Sequence, residues 1–298
     1  MTLDALRSRK AALVIAHPGH ELRVHGWLEI ARPMVFVLTD GSGHTGHSRV
    51  ASTARVLDAA GAERSRIFGR FTDAELYDIM RSGNVAPLLR VMLDLAAACS
   101  AADIDYVVGD AVEGFNPSHD LCRFLINAAV LVARRESGRA VDNLDFLLDG
   151  DPRALPEARK TPHVTVQLDE AALQRKLAAA DRYEELKAET QLALARFGPR
   201  AFMSECLRSV EDPRIGVDAM EHEPPQYEQY GEQRVRHGYY QDVIRYRTNV
   251  RPLLQDLWDH AGLDEVLPAG TTSTISTIST GASAATGTSS VSSHLTDS

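Results

Sequence analysis

Two histidines stand three positions apart in the segment His17–Pro18–Gly19–His20–Glu21. The residues before them, Ala11 to Ala16 (AALVIA), have the apolar make-up of a buried strand. A strand end followed by a first helical turn fixes the direction of both side chains, so two imidazoles can be aimed at one ion. The same pair could equally decorate a helix-capping loop, so the metal reading needs a further ligand. Gly114–Phe115–Asn116–Pro117–Ser118–His119–Asp120 supplies one, because it repeats the design: a polar turn after a strand, a proline at the helix entry, and a histidine in the first turn. His17, His20 and His119 are the expected metal ligands, for zinc or another divalent ion. Three imidazoles without a fourth protein ligand leave a coordination position open, as a catalytic zinc requires, and such an ion brings the pKa of a bound water to about 7. His25 adds another imidazole, but it lies further into the following helix and is expected to face elsewhere. Cys122, one helical turn after His119, could approach the metal; a buried core cysteine is the simpler reading. His44 and His47, in the glycine-rich loop Gly41 to Gly46 and just after it, are candidates for substrate contact or proton transfer, or residues of a solvated loop.

These residues need elements that bring them together. Short apolar runs alternate with amphipathic stretches in the manner of a βαβ sheet. Expected strands are Ala11 to Ala16, Pro33 to Leu38, Arg66 to Phe68, Ile104 to Val108 and His163 to Leu168. Expected helices run from Ser48 to Ala60, Asn84 to Ala101, His119 to Arg135 and about Asp169 to Phe197. The fold class is therefore α/β, a Rossmann-like three-layer sandwich with a mostly parallel sheet. Its site should lie beyond the carboxyl ends of the strands, where the loops starting at His17, Asp40 and Gly109 fall side by side. No GxGxxG opens the first helix, which argues against a nucleotide-binding enzyme.

The motifs resemble those of a known family. Ala16–His17–Pro18–Gly19–His20–Glu21 is similar to the Ala-His-Pro-Asp-Asp-Glu signature of the LmbE/PIG-L zinc-dependent N-deacetylases, and Asn116–Pro117–Ser118–His119 to their later His-Pro-Asp-His. Thr39–Asp40–Gly41 resembles the family's Thr-Asp-Gly after the second strand. Arg49 and Asp73 fall where the family places an arginine and a substrate-binding aspartate, and Val164 to Lys176 resembles its late strand and lysine-bearing helix. The resemblance covers about residues 10 to 195. It implies a Rossmann-like fold and removal of an acyl group from an amino sugar or related N-acylated small molecule, with Arg49, Asp73 and His44 binding substrate. It also exposes departures. The family's metal-binding aspartate maps to His20, its general base maps to Gly19, and the first histidine and the aspartate of its second motif map to Asn116 and Ser118. Acid–base groups contribute about 10²–10⁴-fold to such reactions, so another carboxylate has to substitute if turnover is kept. Asp120 is the leading candidate, followed by Glu113, Asp110 and Glu21, while Asn116 could donate to an oxyanion. Restoring the family residue with Gly19→Asp is expected to raise activity. The alternative reading is a catalytically altered or inactive relative that keeps the fold and binds metal or ligand.

The chain as a whole bounds these readings. It has 298 residues, 24% charged and 44% hydrophobic, which is ordinary globular composition. A formal charge of −9 disfavours a sequence-independent grip on nucleic acid. No apolar run approaches the roughly 20 residues of a membrane span, and the N-terminus lacks a signal-peptide core. Cys99, Cys122 and Cys206 form no CxxC pair, so a disulfide scaffold is not expected and a cytoplasmic location is. Three regions are anticipated: a metal-binding α/β domain over 1–195, a helical extension over 196–268 packing on it, and a disordered Ser/Thr-rich tail over 269–298. The extension carries Tyr227, Tyr230, Tyr239, Tyr240 and Tyr246 interleaved with Arg234, Arg236, Arg245, Arg247 and Arg251. Acidic residues are mixed in and Val250, Leu253 and Leu254 recur at helical spacing, so it is expected to be a lid or a homo-oligomer surface rather than a nucleic-acid site. The partner expected is a small-molecule N-acyl substrate.

Overall fold

The computed structural model describes residues 3–152 and 162–263. The expected tail, 269–298, and the side chain of His44 lie outside the described residues. Seven strands form one sheet in the order β3-β2-β1-β4-β5-β7-β6. They are β1 (Ala11–Ile15), β2 (Met34–Thr39), β3 (Glu63–Phe71), β4 (Tyr106–Asp110), β5 (Asp142–Phe146), β6 (His163–Gln167) and β7 (Ser204–Ser209). The pairs β1·β2, β1·β4, β2·β3 and β4·β5 are parallel, and β7 runs antiparallel to both β5 and β6.

Helices cover both faces, giving three layers. They are α1 (Leu3–Ser8), α2 (His25–Ala31), α3 (Val50–Ala60), α4 (Asp73–Ser82), α5 (Ala86–Ala101), α6 (Pro117–Ser137), α7 (Glu170–Asp181), α8 (Lys187–Phe197), α9 (Val217–His222), α10 (Gln226–Arg236) and α11 (Arg251–Ala261). β1 shows why the layers form. Every residue of it is apolar and buried, as a central parallel strand covered on both faces requires. Side chains alternate across a strand, so Ala11, Leu13 and Ile15 enter one core with Trp27, Leu28 and Leu57 from α2 and α3. Ala12 and Val14 enter the other with Leu95, Phe124, Leu125 and Leu254 from α5, α6 and α11.

Two expectations need adjusting. The stretch expected as one helix from Asp169 to Phe197 is α7 and α8, separated by a loop through Tyr183 and a short helical turn, Glu184–Leu186. The sheet does not end near residue 195, because β7 inserts between β5 and β6. The rest of that extension packs on the domain through Val250, Leu253, Leu254 and Leu257, all fully buried. No single helix among the described residues is long and apolar enough to cross a membrane.

Strand order sets the place of the site. The chain leaves β1 toward β2 on one side, and later adds β4 on the other, so a crevice opens beyond the carboxyl ends of β1 and β4. The residues following those two strand ends are His17 and, across a short loop, His119.

Candidate metal centre

His17 is the second residue past β1, and Gly19 turns the chain behind it. Gly19 adopts φ 107°, a left-handed conformation that favours glycine, and the helical turn His20–Val24 starts directly after it. On the other side of the crevice, Asn116 caps α6: its side-chain oxygen accepts from the Ser118 N–H at 2.8 Å, and Pro117 occupies the first helical position. That entry fixes His119 in the first turn of α6. The three rings meet. Their centres lie 5.4 Å (His17–His20), 5.0 Å (His17–His119) and 4.5 Å (His20–His119) apart, each pair edge to face.

Each of the first two rings is held at Nδ1. His17 Nδ1 lies 2.7 Å from Thr39 Oγ1 and 3.1 Å from Asp73 Oδ1. His20 Nδ1 lies 2.9 Å from Asp110 Oδ2, which also accepts the Ala16 N–H at 2.7 Å. The Asp110 carboxylate only accepts hydrogen bonds, so His20 carries its proton on Nδ1. The Thr39 hydroxyl donates to the Ala16 carbonyl at 3.1 Å and so receives the bond from His17, which puts the His17 proton on Nδ1 as well. Both rings therefore present a lone pair at Nε2, for which the structure gives no protein partner among the described residues. A carboxylate behind the opposite nitrogen is the usual support of a metal-ligating histidine.

Burial disfavours the charged form of His17 and of His119. Burial lowers the pKa of His17; His20 and Arg49 push the same way, and Asp73 only partly offsets them. Burial, with His20, His17 and Arg49 adding to it, holds His119 well below the ordinary imidazole value. Burial opposes ionisation of Asp73, but the neighbouring His17 and the Gly43 N–H outweigh it and hold the carboxyl far below its usual range. Neutral imidazoles are the form that binds metal.

The cluster fits a divalent ion in donor chemistry and in spacing. Three imidazoles binding one zinc tetrahedrally at about 2.0–2.1 Å have ring centres about 5 Å apart. As the side chains stand, no group of three or more His, Cys, Asp or Glu among the described residues is placed to hold a metal ion. The rings are stacked on one another's edges, and ligation requires each to turn a nitrogen toward their common centre. Asp110 adds a buried carboxylate oxygen, Oδ1, that has no hydrogen-bond partner beside this cluster.

The other expected site residues take separate places. Asp73 is buried and holds His17 and the loop after β2, accepting from the Gly43 N–H at 2.6 Å. Arg49 is half-buried, and its Nε donates to the Gly41 carbonyl at 2.6 Å, pinning the same loop. Asp120 is fully buried, and its carboxylate accepts from the N–H groups of Glu113 and Gly114 at 3.0–3.2 Å. Burial raises its pKa to about 7. None of its hydrogen bonds reaches a histidine; it closes the loop between β4 and α6. Glu113 accepts the N–H groups of Leu148 and Asp149, and burial raises its pKa. Glu21 accepts from the Gly19 N–H and the Thr53 hydroxyl, a closed network of its own. His47 is exposed, and His25 and Cys122 are buried outside the histidine cluster.

Gly19 brings a correction. A Cβ placed on it would lie 2.2 Å from Leu186 Cδ1 and 3.6 Å from the Tyr183 ring. The Leu186 side chain, from the loop between α7 and α8, therefore occupies the space that a side chain at this position needs, and an aspartate here requires Leu186 to shift and a left-handed backbone to be kept. Sequence reasoning also misses the two residues that aim the histidines. Thr39 stands out only as part of a motif, and Asp110 only as a candidate base; the signal for each is its place at a strand's carboxyl end, next to the switch in strand order.

Solved structures share this fold. A conserved protein from Thermus thermophilus aligns over 70% of this chain and 98% of its own, with a TM-score of 0.50 and 19% identity. An antimicrobial pseudoaglycone deacetylase aligns over 68% and 97% at 20% identity, with a TM-score of 0.43. A deacetylase triple mutant of the teicoplanin biosynthetic pathway aligns over 68% and 99% at 16% identity, with a TM-score of 0.45. No family model matches the chain, and no curated protein matches it in sequence.

Proposed function

We propose that the protein is a divalent-metal-dependent amide hydrolase of the N-deacetylase type, acting on an N-acylated small molecule or amino sugar. The observation that carries this reading is the convergence of His17, His20 and His119 with two Nδ1 atoms fixed by Thr39 and Asp110. The motif resemblance to the LmbE/PIG-L enzymes supports it. His17, His20 and His119 would hold the ion, with Asp110 beside them. When bound, zinc supplies a Lewis acid for the acyl carbonyl and a water acidic enough to react near neutral pH.

The chain's own groups prepare the rest. Thr39 and Asp110 keep the two imidazoles in the tautomer that offers Nε2. Asn116 uses its oxygen to cap α6, which leaves its NH₂ as a donor for the oxyanion that develops on the carbonyl. Arg49 and Asp73 brace the loop after β2 and so shape the substrate side of the crevice, and Asp120 does the same for the loop before α6.

A second reading rests on Gly19. With no side chain there and Leu186 packed over it, the family's base position is closed. A metal- or ligand-binding relative without turnover has the same histidine cluster. The deciding experiment measures free amine released by the zinc-loaded protein from a panel of N-acyl sugars and N-acyl amino compounds. Release that disappears in His119→Ala supports hydrolysis; stoichiometric zinc with no release from any compound supports the binding reading.

A further inference from the structure

Arg123, inside α6, is fully buried. Its Nε donates to the Asp110 carbonyl at 2.5 Å, and its Nη2 to the Leu144 carbonyl at 3.1 Å. Its Nη1 donates to Asn143 Oδ1 at 2.8 Å and to Asn127 Oδ1 at 3.3 Å. Every one of these acceptors is a neutral oxygen, where a guanidinium taken out of water ordinarily meets a carboxylate. A buried cation is a costly way to join a helix to a sheet. Elsewhere along α6 the join is made by Leu121, Leu125 and Ile126, which carry no such cost.

The place of Arg123 relates it to the histidines. It follows His119 by one turn of α6, so both side chains leave the same side of the helix. The guanidinium ends on the last residue of β4, Asp110 itself. The Asp110 carboxylate in turn holds His20 Nδ1 at 2.9 Å and accepts the Ala16 N–H, just past β1, at 2.7 Å. A short chain of contacts, Arg123 to Asp110 to His20, therefore joins the helix that carries His119 to the turn that carries His20. Gly109 leaves it room, since a Cβ there would lie 2.7 Å from Arg123 Nη2.

We propose that Arg123 is a positioning residue of the metal centre: by holding the Asp110 main chain at the end of β4, it sets the carboxylate that fixes His20 Nδ1, and so aims His20 at the ion it shares with His119. The planar fork is what the place requires, because its three nitrogens bond to β4, to β5 and back to α6 at once. A lysine keeps the charge but not the fork, so it cannot hold Asp110 and β5 together. This inference rests on the metal reading of the histidine cluster, but the effect of Arg123 on His20 can be read without metal.

Two measurements on the full chain test it. The first is zinc affinity by competition with a chelating dye. Groups that orient a metal ligand are worth about 10–100-fold in affinity, and Arg123→Lys should weaken zinc binding by about tenfold. Arg134→Lys, on the same helix and likewise donating to a backbone carbonyl, that of Val141, should leave it unchanged. In an Asp110→Ala background Arg123→Lys should cost nothing more, because the group it acts through is gone. The second is proton NMR of the metal-free protein. The Nδ1–H signal of His20, identified by its loss in His20→Ala, should shift or broaden in Arg123→Lys and stay in place in Arg134→Lys. Should Arg123→Lys fail to fold, Asn143→Ala, which removes one acceptor of the fork, takes its place and should show smaller changes in the same direction. Unchanged zinc affinity, an unmoved His20 signal, or an equal loss of affinity in the Asp110→Ala background overturns the positioning role. An intact protein that binds no zinc, while its His20 signal still responds to Arg123→Lys, overturns the metal reading and leaves the coupling of Arg123 to His20 standing.

Discussion

Two buried polar clusters of this protein invite comparison. In the first, Lys176 Nζ donates to Glu205 at 2.7 Å and to the Arg23 carbonyl at 2.9 Å, while Glu205 accepts the Gly26 and Trp27 N–H groups at 2.8 Å each. Each of those atoms has its partner within the chain, and the cluster ties α7 and β7 to the start of α2. In the second, His17 and His20 are satisfied at Nδ1 and left with an unshared lone pair at Nε2, and burial presses the three rings of the set together. The first arrangement is complete without a ligand. The second leaves two imidazole nitrogens without a partner among the described residues. Burial of polar groups alone does not mark a site; burial with a donor left over does.

The contrast can be broken from either side. The largest effect is expected in the self-contained cluster. Lys176→Met leaves the Glu205 carboxylate buried without its cation, a change that costs about 3–5 kcal/mol, while zinc bound per folded molecule stays at its original value. Denaturant unfolding read beside metal content checks both halves. A variant that keeps its stability would show Glu205 to be solvated in a way this packing does not allow.

Next comes Gly19→Asp. A left-handed φ combined with overlap on Leu186 is expected to cost about 1–3 kcal/mol and to lower activity, not raise it. Leu186→Ala in the same background should recover part of the stability by opening the space. Higher activity in the single variant would mean that Leu186 moves aside readily.

A smaller effect is expected at the support of the metal set. Asp110→Asn should weaken zinc binding by about 10–100-fold, because the amide no longer fixes the His20 tautomer as the carboxylate does. Asp73→Asn should act in the same direction but less, since Thr39 also holds His17. Competition with a chelating dye gives both values, and unchanged affinity in Asp110→Asn would remove that residue from the metal site's support.

The same two clusters show how much of the molecule is legible in its residue order. The histidines are legible because they come after apolar strands at short, fixed distances, and a strand's carboxyl end directs the residues next in the chain. β5 is not, because DNLDF lacks an apolar run. Its Asn143 and Asp145 are buried by bonds to Arg123 and Arg208, far away in sequence. β7 is hidden for the same reason, since Glu205 finds its partners on α7 and α2 and Arg208 finds its partner on β5. At Gly19 the sequence shows that a side chain is missing, but not that Leu186 occupies its place. Asp120 stands out as a carboxylate next to a ligand, yet the loop's N–H groups claim it. Local pattern carries the metal set, and long-range polar pairing carries the elements that the pattern misses.

Metal content tests the central claim most directly. The zinc-loaded protein, dialysed against metal-free buffer, should retain about one zinc per chain by mass spectrometry. His17→Ala, His20→Ala and His119→Ala should each retain almost none while unfolding with the same cooperativity as the metal-free parent. One zinc per chain held with unchanged affinity by His20→Ala would contradict the three-histidine centre.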